Sequence, residues 1–287
     1  MMKLAVISTA TNPFALVVSK NGVFKTIPGV PTLTQALQMR MSDLKVAIEK
    51  DAGNVVTGEL VPPVAPETEV WGAGVTYLRS RDARKEESDT PDVYQRVYEA
   101  DRPELFFKAT CRRTVGNGDP IGIRYDSEAS VPEPEVAIVV NKFREIIGFS
   151  ICNDMTARTI EGENPLYLPQ AKSYLGSTSL GPDITLSWLA PSAADMSIHA
   201  EIKRGSAIVW QADTALSGLN RTLPDLVDYL FRCQTFPDGV ILSTGTGIIP
   251  PLEFITKEGD VITITVNGLG VLSNPVVTIS ADVNEAI

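Results

Sequence analysis

Val131-Pro132-Glu133-Pro134-Glu135-Val136-Ala137-Ile138-Val139-Val140, then the polar Asn141-Lys142-Phe143-Arg144, then an apolar run from Ile146 to Asn153-Asp154, is the stretch on which the reading of this chain turns. Two apolar runs around a short polar one make a hairpin pattern. Residues two apart in a strand share a face, so Glu133 and Glu135 point the same way. Pro134 cannot donate to a strand ladder, which makes this strand end an edge or an irregular one. A turn centred between Phe143 and Arg144 sets Glu133 opposite Asp154, whereas a slip of one residue would send Asp154 to the other face. In that register three carboxylates gather at one end of the hairpin. Bare carboxylates repel one another and resist joint desolvation. A hard divalent cation relieves both costs, and three oxygen ligands plus waters suit Mg²⁺ or Mn²⁺, whereas zinc favours His or Cys. Spacing alone leaves the alternative of a solvated strand end, because Glu-x-Glu is common on exposed strand faces.

Composition narrows the chemistry. The 287 residues carry 25 Lys+Arg against 35 Asp+Glu, a formal net charge of -10, with 44% apolar and 21% charged residues. That is ordinary for a globular protein. The acid excess argues against a nucleic-acid binder and against an anionic membrane surface as partner. No apolar run approaches the roughly 18–20 residues that span a bilayer. Met1 to Ser8 reads as a first strand rather than a signal peptide. Cys111, Cys152 and Cys233 have no metal-type spacing and read as reduced, inert core thiols of a cytoplasmic protein. The single histidine, His199, lies in an alternating strand-like stretch and reads as a surface or edge-strand residue. Catalysis therefore falls to carboxylates, lysines, hydroxyls or a hard metal ion.

Along the chain, residues 1–65 look like a small N-terminal domain, with an Asn21-Gly22 hairpin turn and a helix over 33–49 opened by Thr32. Val61-Pro62-Pro63-Val64-Ala65-Pro66 is the clearest linker, so a second domain spans 66–287. Residues 78–103 are highly charged and helical in spacing: either a solvated helical surface or a mobile lid. From residue 105 onward strand patterns dominate, with one convincing helix over 222–232. Gly72-Ala73-Gly74 lacks the third glycine of a dinucleotide fingerprint, and there is no P-loop.

Several segments, in order, resemble the fumarylacetoacetate hydrolase family over roughly residues 68–280. Glu133-Pro-Glu135 resembles its paired metal-binding glutamates, and Asn153-Asp154-Met155-Thr156-Ala157-Arg158 its Asn-Asp-x-(Ser/Thr)-Ala-Arg segment, whose Asp completes the metal site. Lys172, ahead of Gly181-Pro182, resembles the active-site lysine. Asp238-Gly239-Val240-Ile241-Leu242-Ser243-Thr244-Gly245-Thr246 resembles the family's Thr-Gly-Thr loop, and Phe106-Phe107-Lys108 its Phe-x-Lys strand. Gly268-Leu269-Gly270 with Asn274-Pro275-Val276 resembles its C-terminal end. The resemblance implies a mainly β, mixed α+β fold: a curled sheet assembly with a small N-terminal domain and a helical lid, assembled as a homodimer. It also implies Mg²⁺ on Glu133, Glu135 and Asp154, a 2-oxo acid substrate, and Thr246 and Lys108 in the substrate pocket. The ion would act as a Lewis acid on the carboxylate and 2-oxo oxygens.

Within the family, members that cleave C–C bonds carry a His in Asn-Tyr-x-x-His. Here Thr76-Tyr77-Leu78-Arg79-Ser80 puts Ser80 at that place. The run from Glu161 to Lys172 resembles members acting as 2-keto-3-deoxy sugar-acid dehydratases. The expected reaction is loss of water from a 2-keto-3-deoxy pentonate, with Glu104 and Lys172 as the acid–base pair and Lys172 lowered in pKa by the cation and by burial. Hydrolysis of an acylpyruvate-like 2,4-dioxo acid is the alternative. A metal-bound binding protein without turnover is a third class. Arg79, Arg81 and Arg84 read as an exposed helix face in preference to sugar-acid contacts.

Overall fold

The computed structural model describes residues 2–87 and 91–281. The hairpin is its centre. Strands β6 (Pro134–Val140) and β7 (Ile146–Asp154) pair Pro134 with Asn153, Glu135 with Cys152 and Val136 with Ile151. The Asp154 N–H donates to the Glu133 carbonyl at 3.0 Å, so the ladder runs on to the expected opposition. Every residue of β6 is buried. A strand covered on both faces needs no polar alternation, which is why the sequence is one apolar run.

Around the hairpin, β1 (Met2–Ser8), β2 (Ala15–Lys20), β3 (Glu69–Gly74), β4 (Glu104–Thr110), β8 (Thr178–Leu186) and β11 (Val240–Ser243) complete the main sheet. Its order is Val55–Val56, Val23–Thr26, β2, β1, β8, β7, β6, β11, β3, β4. The pair β11/β3 is parallel and β3/β4 antiparallel. These directions bring the start of β6, the ends of β7, β11 and β3, and the start of β4 to one edge, where the carboxylates lie. The N-terminal strands join the same sheet through β1, whose Lys3 and Leu4 pair with Thr185 and Ile184 of β8.

A second sheet is formed by β5 (Ile121–Arg124), β9 (Ser197–Arg204), β10 (Ala207–Ala215), β12 (Asp260–Val266) and β13 (Gly270–Ile279). Alternate residues of β6 serve two cores. Val136, Ile138 and Val140 pack with Ile198, Ile202 and Ile264, while Ala137 and Val139 pack with Leu33, Leu37 and Leu44 of the N-terminal segment. His199 sits on β9 in an exposed pair with Asp213, in this second sheet.

The single helix expected over 33–49 is two: α1 (Leu33–Leu37) and α2 (Met41–Glu49). The hairpin tip breaks it. The Lys142 N–H takes the carbonyl of Leu37 and the Asn141 amide takes that of Met39, which diverts both from helical bonding. Thr32 caps α1 as read, accepting from the Gln35 N–H. The charged segment forms α3 (Leu78–Glu87) and α4 (Pro91–Glu99). One turn ahead of α7 (Leu223–Leu230) secures both ends of this pair. The Asn220 N–H donates to Thr76, its side chain to Tyr98, and Arg221 to the carbonyls of Val97, Ala100 and Asp101. Among the described residues no helix is long and apolar enough to cross a membrane.

Ile138 is fully buried at the centre of the larger core. Ile138→Ala should cost about 2–5 kcal/mol, read as a lowered denaturant midpoint with an unchanged m-value; a change below about 1 kcal/mol would contradict this placement.

Candidate functional site

Glu133, Glu135 and Asp154 are each at most 3% exposed, and one carboxylate oxygen from each lies within 4.8 Å of the others. Their surroundings are polar and specific. Glu135 Oε2 accepts from Ser243 Oγ at 2.5 Å and from the Gly245 N–H at 2.7 Å. Gly245 is obligatory here: its φ is +94°, and a Cβ would lie 1.9 Å from Thr76 Oγ1. Lys172, at the end of α6 (Leu168–Lys172), donates to Glu133 Oε2 at 2.7 Å and to Asp154 Oδ2 at 3.1 Å. The other oxygen of Glu133 is held by Arg84 of α3.

Lys108 lies beneath the cluster. Its ammonium is fully buried, donates to the carbonyls of Met155 and Lys172, and sits 2.6 Å from Asp154 Oδ1. Two of its three protons go to those carbonyls, its charge also faces Asp154, and it does not line the cavity. The expected pocket residue is thus placed as a support for Asp154 and for the backbone of Lys172.

Glu104, at the start of β4, faces the same cavity as Lys172 and the three carboxylates. Its partner across the sheet is Gly74, and a Cβ there would lie 2.1 Å from Glu104 Oε2, so the absent side chain makes room for this carboxylate. Thr246 also faces the cavity, with its hydroxyl donating to the Ile248 carbonyl at 2.9 Å. Ser80 and Arg84, one helical turn apart, form the α3 side of the wall.

Electrostatics separates the groups. Burial, then Asp154 and Glu133, push Glu135 up to about 8. Burial works the same way on Glu133, but Arg84 and Lys172 outweigh it and hold that carboxyl at about 2. Burial raises Glu104, and the nearby Arg84 and Lys172 only moderate this. Burial by itself lowers Lys172, yet Asp154 and Glu133 overcome it and hold the ammonium above the usual lysine range. The lowered lysine expected from the sequence is therefore not what the protein's own groups produce, because two carboxylates touch it directly.

Sequence reasoning missed Arg84 and Glu161. The sequence groups Arg84 with Arg79 on an exposed face, whereas in the structure it is 5% exposed and pairs with both Glu133 and Glu161. The available signal was its spacing of four from Ser80, which puts both on one helix face. Arg158 ties α5 (Arg158–Glu163) to the carbonyls of Pro250 and Pro251. Cys152 is buried as expected, whereas Cys233 is exposed.

The fumarylacetoacetate (FAA) hydrolase C-terminal family matches residues 69–277, well over half of the chain, and the protein belongs to that family. It is 46% identical over 217 residues (76% of this chain, 74% of the relative) to a Haloferax volcanii protein named "Probable 2-keto-3-deoxyxylonate dehydratase". It is 38% identical over 221 residues (76% and 74%) to the 2-dehydro-3-deoxy-D-arabinonate dehydratase of Saccharolobus solfataricus. It superposes with a TM-score of 0.80 and 30% identity on a solved structure of 2-keto-3-deoxy-D-arabinonate dehydratase complexed with magnesium and 2,5-dioxopentanoate, covering 97% of this chain and 99% of that one.

The donor set fits a hard divalent cation: three buried carboxylate oxygens converge and no His or Cys is among them. Because Glu135 is pushed up to about 8, a proton competes with the ion at lower pH. Mg²⁺ affinity, followed by calorimetry, should rise with pH and level off near about 8, by up to about tenfold per pH unit. A flat profile over the two units below that would contradict this account of Glu135.

Proposed function

We propose that this protein is a Mg²⁺-dependent dehydratase that removes water from a 2-keto-3-deoxy pentonate to give 2,5-dioxopentanoate. The observation that carries the reading is the cavity itself. An acidic triad, a buried lysine and a further, raised carboxyl all face one space, in a chain 46% and 38% identical to two proteins named as dehydratases of such acids. Ser80 on the lid wall supports loss of water over C–C cleavage, since a C–C-cleaving site of this family places a histidine there.

Glu133, Glu135 and Asp154 would hold the ion. When bound, it supplies Lewis acidity at the carboxylate and 2-oxo end of the acid and a counter-charge on the carboxylates that otherwise keep Lys172 protonated. Lys172 Nζ then takes a proton from C3. Glu104, whose hold on its proton burial strengthens, gives that proton to the C4 hydroxyl as the C4–O bond breaks, and water leaves. The resulting C3=C4 unsaturated 2-oxo acid becomes the 2,5-dioxo acid by two proton shifts: one from C5 to C3, which gives the C4=C5 enol, and one from the C5 hydroxyl to C4, which gives the aldehyde. Thr246 borders the substrate in this reading, and Lys108 steadies Asp154. The same reading makes the protein a cytoplasmic homodimer: the family resemblance supports the dimer, and three free cysteines support a reducing compartment. The proline-rich run before residue 66 supports a boundary between a small N-terminal domain and the catalytic one.

Purified protein with Mg²⁺ and 2-keto-3-deoxy-arabinonate or its C4 epimer should release 2,5-dioxopentanoate. EDTA should abolish the reaction and Glu135→Ala should lower it by about 10²–10³-fold. No product from either epimer, with an acylpyruvate cleaved instead, would overturn the reading. Gly74→Ala, whose methyl would collide with Glu104, should lower kcat by at least about tenfold while leaving Mg²⁺ binding intact. An unchanged kcat would remove Glu104 from the chemistry.

A further inference from the structure

Glu161 is an acid beside the acidic cluster that does not belong to it. It lies on α5, 4% exposed, with Oε2 at 2.6 Å from Arg84 Nη1. The other terminal nitrogen of Arg84, Nη2, is on Glu133 Oε1. One guanidinium from the lid helix therefore joins two carboxylates of the body, one a metal ligand of the proposed site and one not.

A guanidinium is a rigid planar fork whose preferred partner is a single carboxylate engaged by two parallel bonds. Glu133 already gives its Oε2 to Lys172 at 2.7 Å. If Nη1 were also released to Glu133, the fork would close on that carboxylate, and a cation would have to compete with both bonds. With Glu161 holding Nη1, Arg84 is spread across two acids. Removing one carboxylate from a buried guanidinium is also costly, so Glu161 helps to keep α3 seated over the cavity.

We infer that Glu161 is a positioning residue: by holding Nη1 of Arg84 it keeps the lid helix docked and leaves Glu133 available to a divalent cation. The inference rests on the proposed metal site but not on the identity of the substrate. It predicts that the effect of Glu161 on the metal passes through Arg84 and disappears when Arg84 is absent.

The test is Mg²⁺ calorimetry on wild type, Glu161→Gln, Arg84→Met and the double variant. Trypsin cleavage within α3, which carries Arg79, Arg81 and Lys85, is followed in parallel. In the wild-type background Glu161→Gln should weaken Mg²⁺ binding by about tenfold, the scale for groups that orient a ligand, and should speed cleavage of α3. In the Arg84→Met background the same substitution should change neither. Glu161→Asp, which keeps the charge, should restore part of the affinity, and it carries the same two-background comparison if the Gln variant does not fold. Equal Mg²⁺ affinity in wild type and Glu161→Gln would overturn the inference, as would an equal loss in both Arg84 backgrounds. Wild-type Mg²⁺ binding that Glu135→Ala leaves untouched would overturn the metal site itself, and the inference with it.

Discussion

Carboxylates forced together inside a protein repel each other and lose their hydration, and the arrangement of this molecule answers that cost at Glu133, Glu135 and Asp154. Each has its own compensation. Glu135 receives a hydroxyl and a backbone N–H, Glu133 an arginine and a lysine, and Asp154 two lysines. With Glu104 and Glu161 added, five carboxylates meet three cations, Arg84, Lys108 and Lys172. The carboxyl groups outnumber the cations, an excess that a bound cation or protonation relieves. The protonation tendency of Glu135 is the same imbalance expressed in another way: where no further positive charge is supplied, a proton takes its place.

The fold makes this concentration of charge tolerable by putting it at the edge of a sheet whose middle is entirely apolar. β6 serves two cores with its two faces, so its register cannot slip without exposing one of them. The carboxylates at its end are therefore held by the packing of residues such as Ile138 and Val139, far down the strand. The antiparallel neighbour delivers Asp154, the flanking β11 delivers Ser243 and Gly245, and β3 and β4 deliver Gly74 and Glu104. Chemistry is drawn from strand ends and their loops, and stability from strand centres. This division lets the site carry unfavourable electrostatics without compromising the body of the protein.

What could be read from the sequence was what depends on local period. Alternation of two in Glu133-Pro134-Glu135 and the symmetry of the hairpin were enough to set Glu133 against Asp154, and the Thr32 cap followed from its neighbours. Whatever depends on contacts between distant segments was not legible. The break between α1 and α2 is made by Asn141 and Lys142, about a hundred residues away, taking helix carbonyls. Arg84 looks like its exposed neighbours until Glu133 and Glu161 are brought to it. Lys108 was expected in the pocket, yet burial beneath Asp154 gives it carbonyl partners that no local pattern announces. The pKa of Lys172 has the same character, since its sign depends on which carboxylates touch it.

The end of the β6–β7 hairpin gathers the donors of a divalent-cation site. The most direct measurement is anomalous diffraction from crystals of the protein grown with Mn²⁺. A single strong peak coordinated by oxygens of Glu133, Glu135 and Asp154 is expected. A map with no peak there, or with manganese bound only elsewhere, would contradict it.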